Sequence, residues 1–391
     1  MNRGKAVLNS AIILYFIIGL EILIMISPFA GFFYSAFNPV LLAIAKYPAT
    51  RWLSAFFLPH MVVPPDAFLK VIRVAGSVLF LLGLAVFFVC AFQVYFNKFF
   101  KKGAALKGLY SVIRHPQYLG LAVAGVGLFI LWPRFLVVAL WVVMVLLYLL
   151  LAKDEERRML KDYPEQYRQY MQKTGMFLPR AIERYILPAG IWGKVLGAVL
   201  IAVIAIGGAF ALRYYTIRHL DLWSAGNVAA LAITSGDLPI MQHRMPGVLD
   251  LAPVKARLAK GKTYLVYFLP ANYIMQGLIA DTGGQWRLYK QHHALSMITD
   301  WIFHPFRHLS QGHHALPGAL HSMAGGQPGV VRRLVFLEID DAGAVPYGLF
   351  AISARRIPVF MLDLNVHELQ VLSVRDLPRV TGWGTVPTPV F

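Results

Sequence analysis

The chain has 391 residues, of which 58% are apolar or aromatic and only 14% are charged. Charged residues make up about a quarter of a soluble globular protein, so the composition excludes a wholly soluble chain and also the collagen, coiled-coil and disordered classes. Lysine plus arginine is 37 against 19 aspartate plus glutamate, a net charge of +18. In so apolar a chain this excess indicates the flanks of membrane helices and anionic headgroups rather than nucleic acid.

Four apolar blocks in the first half predict membrane segments. Residues 8–34, 68–96 and 192–212 are each long enough to cross about 30 Å of hydrocarbon. Residues 119–152 predict a helical hairpin with a tight turn at Trp132-Pro133-Arg134. The run 8–34 is longer than the apolar part of a signal peptide, so we interpret it as a retained anchor. These blocks predict a polytopic α-helical membrane domain of about five membrane segments.

Basic residues predict the orientation. The loop 97–118 carries five basic residues and no acid, and residues 153–191 add eight basic residues. The positive-inside rule places both stretches, with the N-terminus, in the cytoplasm. The proline-rich loop 35–67, with a short interfacial helix around Trp52, Phe56 and Phe57, and the domain 213–391 are then extracytoplasmic. We predict an integral protein of the inner or plasma membrane.

After residue 213 the apolar runs shorten to strand length and acids mix with bases. Residues 263–269, 330–339 and 359–364 have the pattern of strands, and residues 224–235 predict a helix. We therefore expect an α+β soluble domain to follow the membrane helices.

The predicted domain organisation has four parts, which are residues 1–67 (anchor helix and extracytoplasmic loop), 68–190 (membrane core), 191–212 (transmembrane helix) and 213–391 (extracytoplasmic α+β domain of unknown role).

Two polar motifs flank the hairpin. The first is GLYSVIRHPQYLG at residues 108–120, and the second is DEERR at 154–158, followed by YPEQYRQY at 163–170 and FLP at 177–179. Pro116 favours a helix start, which places Arg114, His115 and Tyr118 at a helix N-terminus, where free N–H groups attract anions. The hairpin returns the second motif to the same membrane face.

Glu155 and Glu156 lie at the polar end of the hairpin and diverge by about 100° on a helix. We expect one of them to face a cationic ligand and the other to pair with Arg158 or solvent. Residues 155–172 are amphipathic and could roof a pocket at the membrane interface. For Tyr163, Tyr167 and Tyr170, an interfacial aromatic belt and a pocket lining both stay open.

The motif pair RHPQYLG and EERR…YPEQYRQYMQKTGMFLP resembles the membrane methyltransferases related to isoprenylcysteine carboxyl methyltransferase, and more distantly the phospholipid N-methyltransferases. The similarity covers about residues 68–180. It implies S-adenosylmethionine bound at the cytoplasmic face and a lipophilic acceptor that enters laterally from the bilayer. The positions that match the motifs, and so are implied to bind the cofactor, are Arg114, His115, Pro116, Tyr118, Gly120, Glu155, Glu156 and Tyr167.

The residue types suit such a cofactor. Glu155 or Glu156 suits its ribose hydroxyls or its ammonium, arginine and histidine suit its carboxylate, and tyrosine faces suit its sulfonium. No catalytic base is assigned, because a carboxylate acceptor is already ionised near neutral pH, whereas an amine acceptor would first lose a proton. O-methylation and N-methylation therefore both stay open.

The alternative is a non-catalytic, membrane-anchored binding protein whose C-terminal domain binds a protein partner or a metal. Seven histidines between residues 292 and 321 raise the metal question, but the single cysteine excludes a cysteine-based zinc site. No zinc signature fits the histidines, so we favour a polar loop and assign no metal. For Gly125 and Gly127 we favour tight helix packing over contact with the cofactor adenosine. For Glu21, which lies within the first apolar run, we favour pairing with another buried polar group.

Overall fold

The structure is a computed structural model that describes residues 9–10, 12–13, 43–59, 66–100, 106–186, 191–271, 330–340, 343–377 and 379. The histidine-rich stretch 292–321 and most of the predicted anchor 8–34, with Glu21, lie outside these residues. The helices are α1 (Pro48–Ser54), α2 (Ala67–Phe99), α3 (Pro116–Leu131), α4 (Phe135–Asp162), α5 (Pro164–Lys173), α6 (Arg180–Ile186), α7 (Ile191–Arg218), α8 (Leu238–Asp250) and α9 (Ala252–Lys255).

Three helices are long and apolar enough to cross a membrane among the residues described. They include Ala67–Asn97 of α2, Phe135–Asp162 of α4 and Leu196–Arg218 of α7. Helix α3, with 16 residues, is shorter, and with about 1.5 Å per residue it extends only about 24 Å. These helices indicate a membrane protein, but the predicted count of about five segments is not established.

Helices α2 and α3 pack closely because both carry glycine where they meet. A Cβ atom on Gly83 would lie 2.5 Å from the carbonyl oxygen of Gly120, and one on Gly127 would lie 2.5 Å from that of Gly76. Backbones this close leave no room for a side chain, and small residues commonly permit such contacts between membrane helices. Gly127 therefore packs against α2 as predicted.

The predicted hairpin turn forms at residues 132–134, between α3 and α4. The stretch that follows α1 covers this turn: Phe57 N donates a hydrogen bond to Pro133 O at 2.7 Å, and Phe56 pairs with Arg134 in an isolated β-bridge. Phe56 and Phe57 are fully buried. The prediction that these two residues lie in an interfacial helix is wrong, because they pack against the turn, beyond the end of α1.

The C-terminal domain contains a six-stranded mixed sheet in the order β1-β2-β3-β4-β5-β6. Strands β2 and β3 are parallel and joined through α8 and α9, whereas the other neighbours are antiparallel. The strands are β1 (Leu222–Ala225), β2 (Val228–Ala232), β3 (Thr263–Pro270), β4 (Val331–Asp340), β5 (Arg355–Asn365) and β6 (Gln370–Asp376).

Three of these strands match the sequence prediction, but the helix predicted over 224–235 is wrong. That stretch contains the end of β1, a turn at Gly226 with φ +57°, and β2. All five residues of β2 are buried. A strand covered on both faces has no apolar-polar alternation, so its alanine-rich sequence resembles a helix.

Both faces of the sheet are covered, by different parts of the chain. Met241, Met245 and Val248 of α8 pack on one face. Ile217 and Leu220, at and just beyond the end of α7, pack on the other face together with the 3-10 turn Tyr347–Phe350. Since α7 continues to Arg218, the membrane helix and the sheet domain share one hydrophobic core.

Arg213 lies at this junction and is only 5% exposed. Its guanidinium donates hydrogen bonds to the carbonyl oxygens of Phe56 and Phe350. One side chain of α7 therefore joins the loop after α1 to the sheet domain. The turn Trp132–Arg134 is at the same end of the membrane helices, and about 30 Å of helix separates Phe135 from Glu156. The sheet domain and the second motif thus lie at opposite ends of α4.

Candidate functional site

The two motif regions are held together by a short backbone ladder. Arg114 N donates to Gly175 O at 2.8 Å and His115 N to Met176 O at 3.1 Å. His115 precedes Pro116, the first residue of α3, and its backbone torsions are not helical (φ −126°, ψ 59°). A residue before proline disfavours the helical conformation. The ladder therefore brings the stretch that follows α5 against the start of α3.

Arg114 forms the central ion pair. Its Nε lies 2.5 Å from Glu156 Oε1, and the two side chains are only 8% and 9% exposed. Its Nη1 donates to the carbonyl oxygens of Thr174 and Met171. These contacts show that Arg114 joins α4 to the end of α5. Glu156 and these carbonyls already bind the guanidinium, and the predicted contact of Arg114 with a cofactor carboxylate stays a prediction.

Of the two partners expected for the second glutamate, Arg158 or solvent, Glu155 has solvent. Arg158 Nε lies 3.4 Å from Asp154 Oδ2, one helical turn earlier on the solvent side. The two glutamates nevertheless differ in role, as their divergence on the helix predicted. Glu156 is buried beside Arg114, whereas the side chain of Glu155 is 40% exposed.

His115 lies between the two glutamates, and its side chain is 2% exposed. Nδ1 is 3.4 Å from Glu155 Oε2 and Nε2 is 3.5 Å from Glu156 Oε1. Neither nitrogen makes a hydrogen bond with the residues described. Burial acts to lower the pKa of His115, but the two carboxylates outweigh it, so the pKa is raised above 6.5.

Aromatic rings enclose this histidine. Tyr118 stacks on it with ring centroids 5.6 Å apart and planes at 16°, and Tyr148 stacks on Tyr118 at 5.3 Å and 10°. Phe177 contacts the histidine ring at 5.9 Å. Tyr148 and Phe177 were not predicted as site residues. The FLP motif contained Phe177, but nothing local to Tyr148 distinguishes it from the other apolar residues of α4.

Helix α5 closes the site through its tyrosines. Tyr170 Oη donates to Tyr110 O at 2.5 Å, and burial raises the pKa of Tyr170 to about 12. Tyr167 is 7% exposed beside Glu156 and Arg114, and burial raises its pKa, whereas Tyr163 is 51% exposed. The lining alternative therefore fits Tyr167 and Tyr170, and the interfacial alternative fits Tyr163.

Gly120 is the one predicted residue that faces elsewhere. A Cβ atom there would lie 2.9 Å from Gly83 O on α2, so Gly120 serves helix packing, and its predicted contact with a cofactor stays a prediction. Gly125 faces Trp141 of α4. No group of three or more potential metal ligands occurs in the part of the chain that the structure describes.

The charge of His115 is expected to make stability depend on pH. A pKa that is higher in the folded than in the unfolded state contributes stability that is complete below about pH 6.5 and is lost as the pH rises through the folded value. The melting temperature of the detergent-solubilised protein should therefore fall as the pH rises above about 6.5 and through the raised pKa of His115. His115→Gln should flatten that part of the profile, and an unchanged slope in the variant would contradict the assignment.

The fold and the site define a class: a polytopic membrane protein with a buried Arg-His-Glu-Glu cluster at one end of a helical hairpin and a mixed-sheet domain at the other end. Residues 49–174 match the family model DUF1295, described as a protein of unknown function. The match contains the whole cluster and excludes the sheet domain. No curated protein and no solved structure matches the chain.

Proposed function

We propose that the protein is an integral-membrane methyltransferase that uses S-adenosylmethionine to methylate an oxygen or nitrogen atom of a lipophilic acceptor. The observation that carries the proposal is the convergence of Arg114 and His115 with Glu155 and Glu156. Some 40 residues and a membrane hairpin separate the two pairs in sequence, yet their side-chain atoms approach within 2.5–3.5 Å. The motif pair of this methyltransferase class predicts this meeting.

The donor set suits the cofactor. Glu155, the more exposed carboxylate, is placed to meet an ammonium group or ribose hydroxyls. The buried ion pair of Glu156 and Arg114 holds α4 against the end of α5. The two buried nitrogens of His115 without hydrogen bonds indicate a site that tightens around a bound group, since catalytic hydrogen bonds are often long before ligand binds.

The bound cofactor would supply an electrophilic methyl group on a sulfonium. The protein's part is then to hold donor and acceptor in line, because positioning provides much of the rate of such a displacement. The rings of Tyr118 and Tyr148 extend from the polar cluster along the hairpin, and they would form the wall between the polar site and the apolar acceptor. Exposed apolar residues on α2 and α4 are consistent with an acceptor that arrives from the bilayer.

The proposed topology keeps the cluster in the cytoplasm, where the cofactor is made, and the sheet domain outside. Reporter fusions after residues 186 and 220 test it, since the two positions lie at opposite ends of α7. Opposite sides for the two reporters, with the first in the cytoplasm, support the proposal. The reverse result would leave the cofactor site outside the cell and contradict it.

Cofactor binding is tested by thermal stabilisation of the detergent-solubilised full-length protein by S-adenosylhomocysteine. We expect a clear rise in melting temperature, which Glu155→Gln reduces. Arg168→Gln is the matched control and should leave the response unchanged, because Arg168 is exposed and its ion-pair partner is the exposed Glu165 on α5. Radiolabelled methyl followed from the donor into lipid and protein fractions then identifies the acceptor class. Equal responses of parent and Glu155→Gln would remove the support for this site.

The alternative is a non-catalytic, membrane-anchored binding protein whose sheet domain binds a protein partner. Absence of any response to S-adenosylhomocysteine and to S-adenosylmethionine would favour this alternative.

A further inference from the structure

The cluster contains its own internal cation. His115 is almost completely buried between two carboxylates, one of which is exposed at the site entrance. Its nitrogens are 3.4 and 3.5 Å from the carboxylate oxygens, distances too long for good hydrogen bonds and too short for an intervening water. The two carboxylates thus stabilise a positive charge on the imidazole, but its nitrogens are too far from them for good hydrogen bonds. A bound cation could come closer to the same oxygens.

A charge count shows what this placement does. The charged groups that face His115 are Glu155 and Glu156 from α4 and Arg114 beside it in the chain. The aromatic residues against it, Tyr118 from α3 and Phe177 after α5, are neutral near pH 7, because a tyrosine hydroxyl ordinarily ionises only near pH 10 and burial raises the pKa of Tyr118 further. Arg158 is largely exposed and bound to Asp154. The cluster is therefore neutral with a protonated histidine and carries one negative charge with a neutral histidine.

We propose that His115 and a positively charged ligand group compete for the carboxylates of Glu155 and Glu156, so that binding of a cationic ligand releases the proton of His115 to solvent. The inference rests on the proposed function for the identity of that ligand, the sulfonium form of the cofactor. Two positive charges cannot share a buried pocket at little cost. Loss of the proton restores a neutral cluster around the bound cation.

The same competition distinguishes fresh from spent cofactor. S-adenosylmethionine carries one more positive charge than S-adenosylhomocysteine, its product after methyl transfer. When the methyl group leaves, the cation at the site disappears and His115 regains a proton from solvent. The cluster with protonated His115 has no net negative charge to attract the positively charged donor. It therefore binds the product, which lacks the sulfonium charge, in preference to the donor. The site thus selects the donor above the pKa of His115 and loses this selectivity below it.

The two cofactor forms provide a matched pair of probes for the full-length protein in detergent. As the pH rises toward the pKa of His115, we expect the dissociation constant of S-adenosylmethionine, divided by that of S-adenosylhomocysteine, to fall by up to about tenfold per pH unit. Above that pKa the ratio should no longer change. At a pH below the pKa of His115, calorimetry in buffers of different ionisation enthalpy should show that the donor releases close to one proton more than the product.

Each outcome decides between the proposals. If both forms bind with a ratio and proton release that do not change with pH, the competition is wrong and the proposed function stands. If neither form binds, both proposals fail. His115→Gln, if it folds, should make the ratio independent of pH. The calorimetric comparison on the parent protein decides the matter even if that variant does not fold.

Discussion

Glu156→Gln is expected to lower the free energy of unfolding by about 3–5 kcal/mol, the usual effect of removing one partner from a buried ion pair. The substitution keeps the shape of the side chain but leaves the guanidinium of Arg114 buried without its counter-charge, and it removes one of the two carboxylates beside His115. Chemical denaturation of the solubilised protein measures the loss. A change below about 1 kcal/mol would show that solvent reaches this pair, as at exposed salt bridges.

Two further variants separate stability from binding. Glu165→Gln removes an ion pair of the same kind at 3.2 Å, but its side chains are 78% and 66% exposed, so a change below about 1 kcal/mol is expected. Replacing both partners, with Arg114→Met and Glu156→Leu, should recover much of the stability because apolar pairs often replace buried ion pairs at little cost. The double variant should still fail to bind S-adenosylhomocysteine.

Gly83→Ala is expected to disrupt the contact between α2 and α3. The added methyl group would meet backbone atoms of α3, including Gly120 O at 2.5 Å, and backbone cannot move aside as a flexible side chain can. Overpacking of this kind costs about 1–3 kcal/mol or more. Because α3 begins at Pro116 beside His115, the displaced helix should also weaken cofactor binding. Denaturation and cofactor-dependent stabilisation measure the two effects.

The control for Gly83 lies in another membrane helix. A Cβ atom on Gly207 of α7 would meet no heavy atom of the described residues within 4 Å, apart from those of its own helix backbone and chain neighbours. Gly207→Ala should therefore be neutral, or stabilise the helix by up to about 1 kcal/mol through the higher helix propensity of alanine. Equal losses from the two substitutions would show that the packing of α2 on α3 is not what makes Gly83 sensitive.

The elements that the sequence predicted well are those whose pattern reflects their own surroundings. Helix α2 and the hairpin turn were predicted within a few residues because lipid-facing helices need long apolar runs, and Trp132-Pro133-Arg134 breaks one such run, whereas α4 continues ten residues beyond the predicted end of the hairpin at residue 152. Strand β2 was missed because it is buried on both faces, by α8 on one side and by the end of α7 with the turn Tyr347–Phe350 on the other, and a strand buried in this way has no apolar-polar alternation. Helix α7 was predicted to end at residue 212, where the apolar run ends, but it continues to Arg218. Polar residues of these last turns, Arg213 and Thr216, are buried at the junction with the sheet domain.

The site shows the same division between local and distant information. The motifs identified Arg114, His115, Glu155 and Glu156 as residues that meet, and they do meet. They did not identify the partners. The sequence left Arg158 or solvent open as the partner of one glutamate, whereas in the structure Glu156 pairs with the buried guanidinium of Arg114 and Arg158 pairs with Asp154.

By itself, the sequence determined the membrane class, the hairpin and the polar residues at its open end, because hydrocarbon thickness and helix geometry act on contiguous residues. Only the tertiary structure decided that His115 lies between two carboxylates, that Tyr148 continues its aromatic stack, and that Arg213 joins the membrane helices to the sheet domain. These contacts depend on segments brought together from distant parts of the chain. Burial and pairing of charge, which decide their chemistry, arise only when those segments pack.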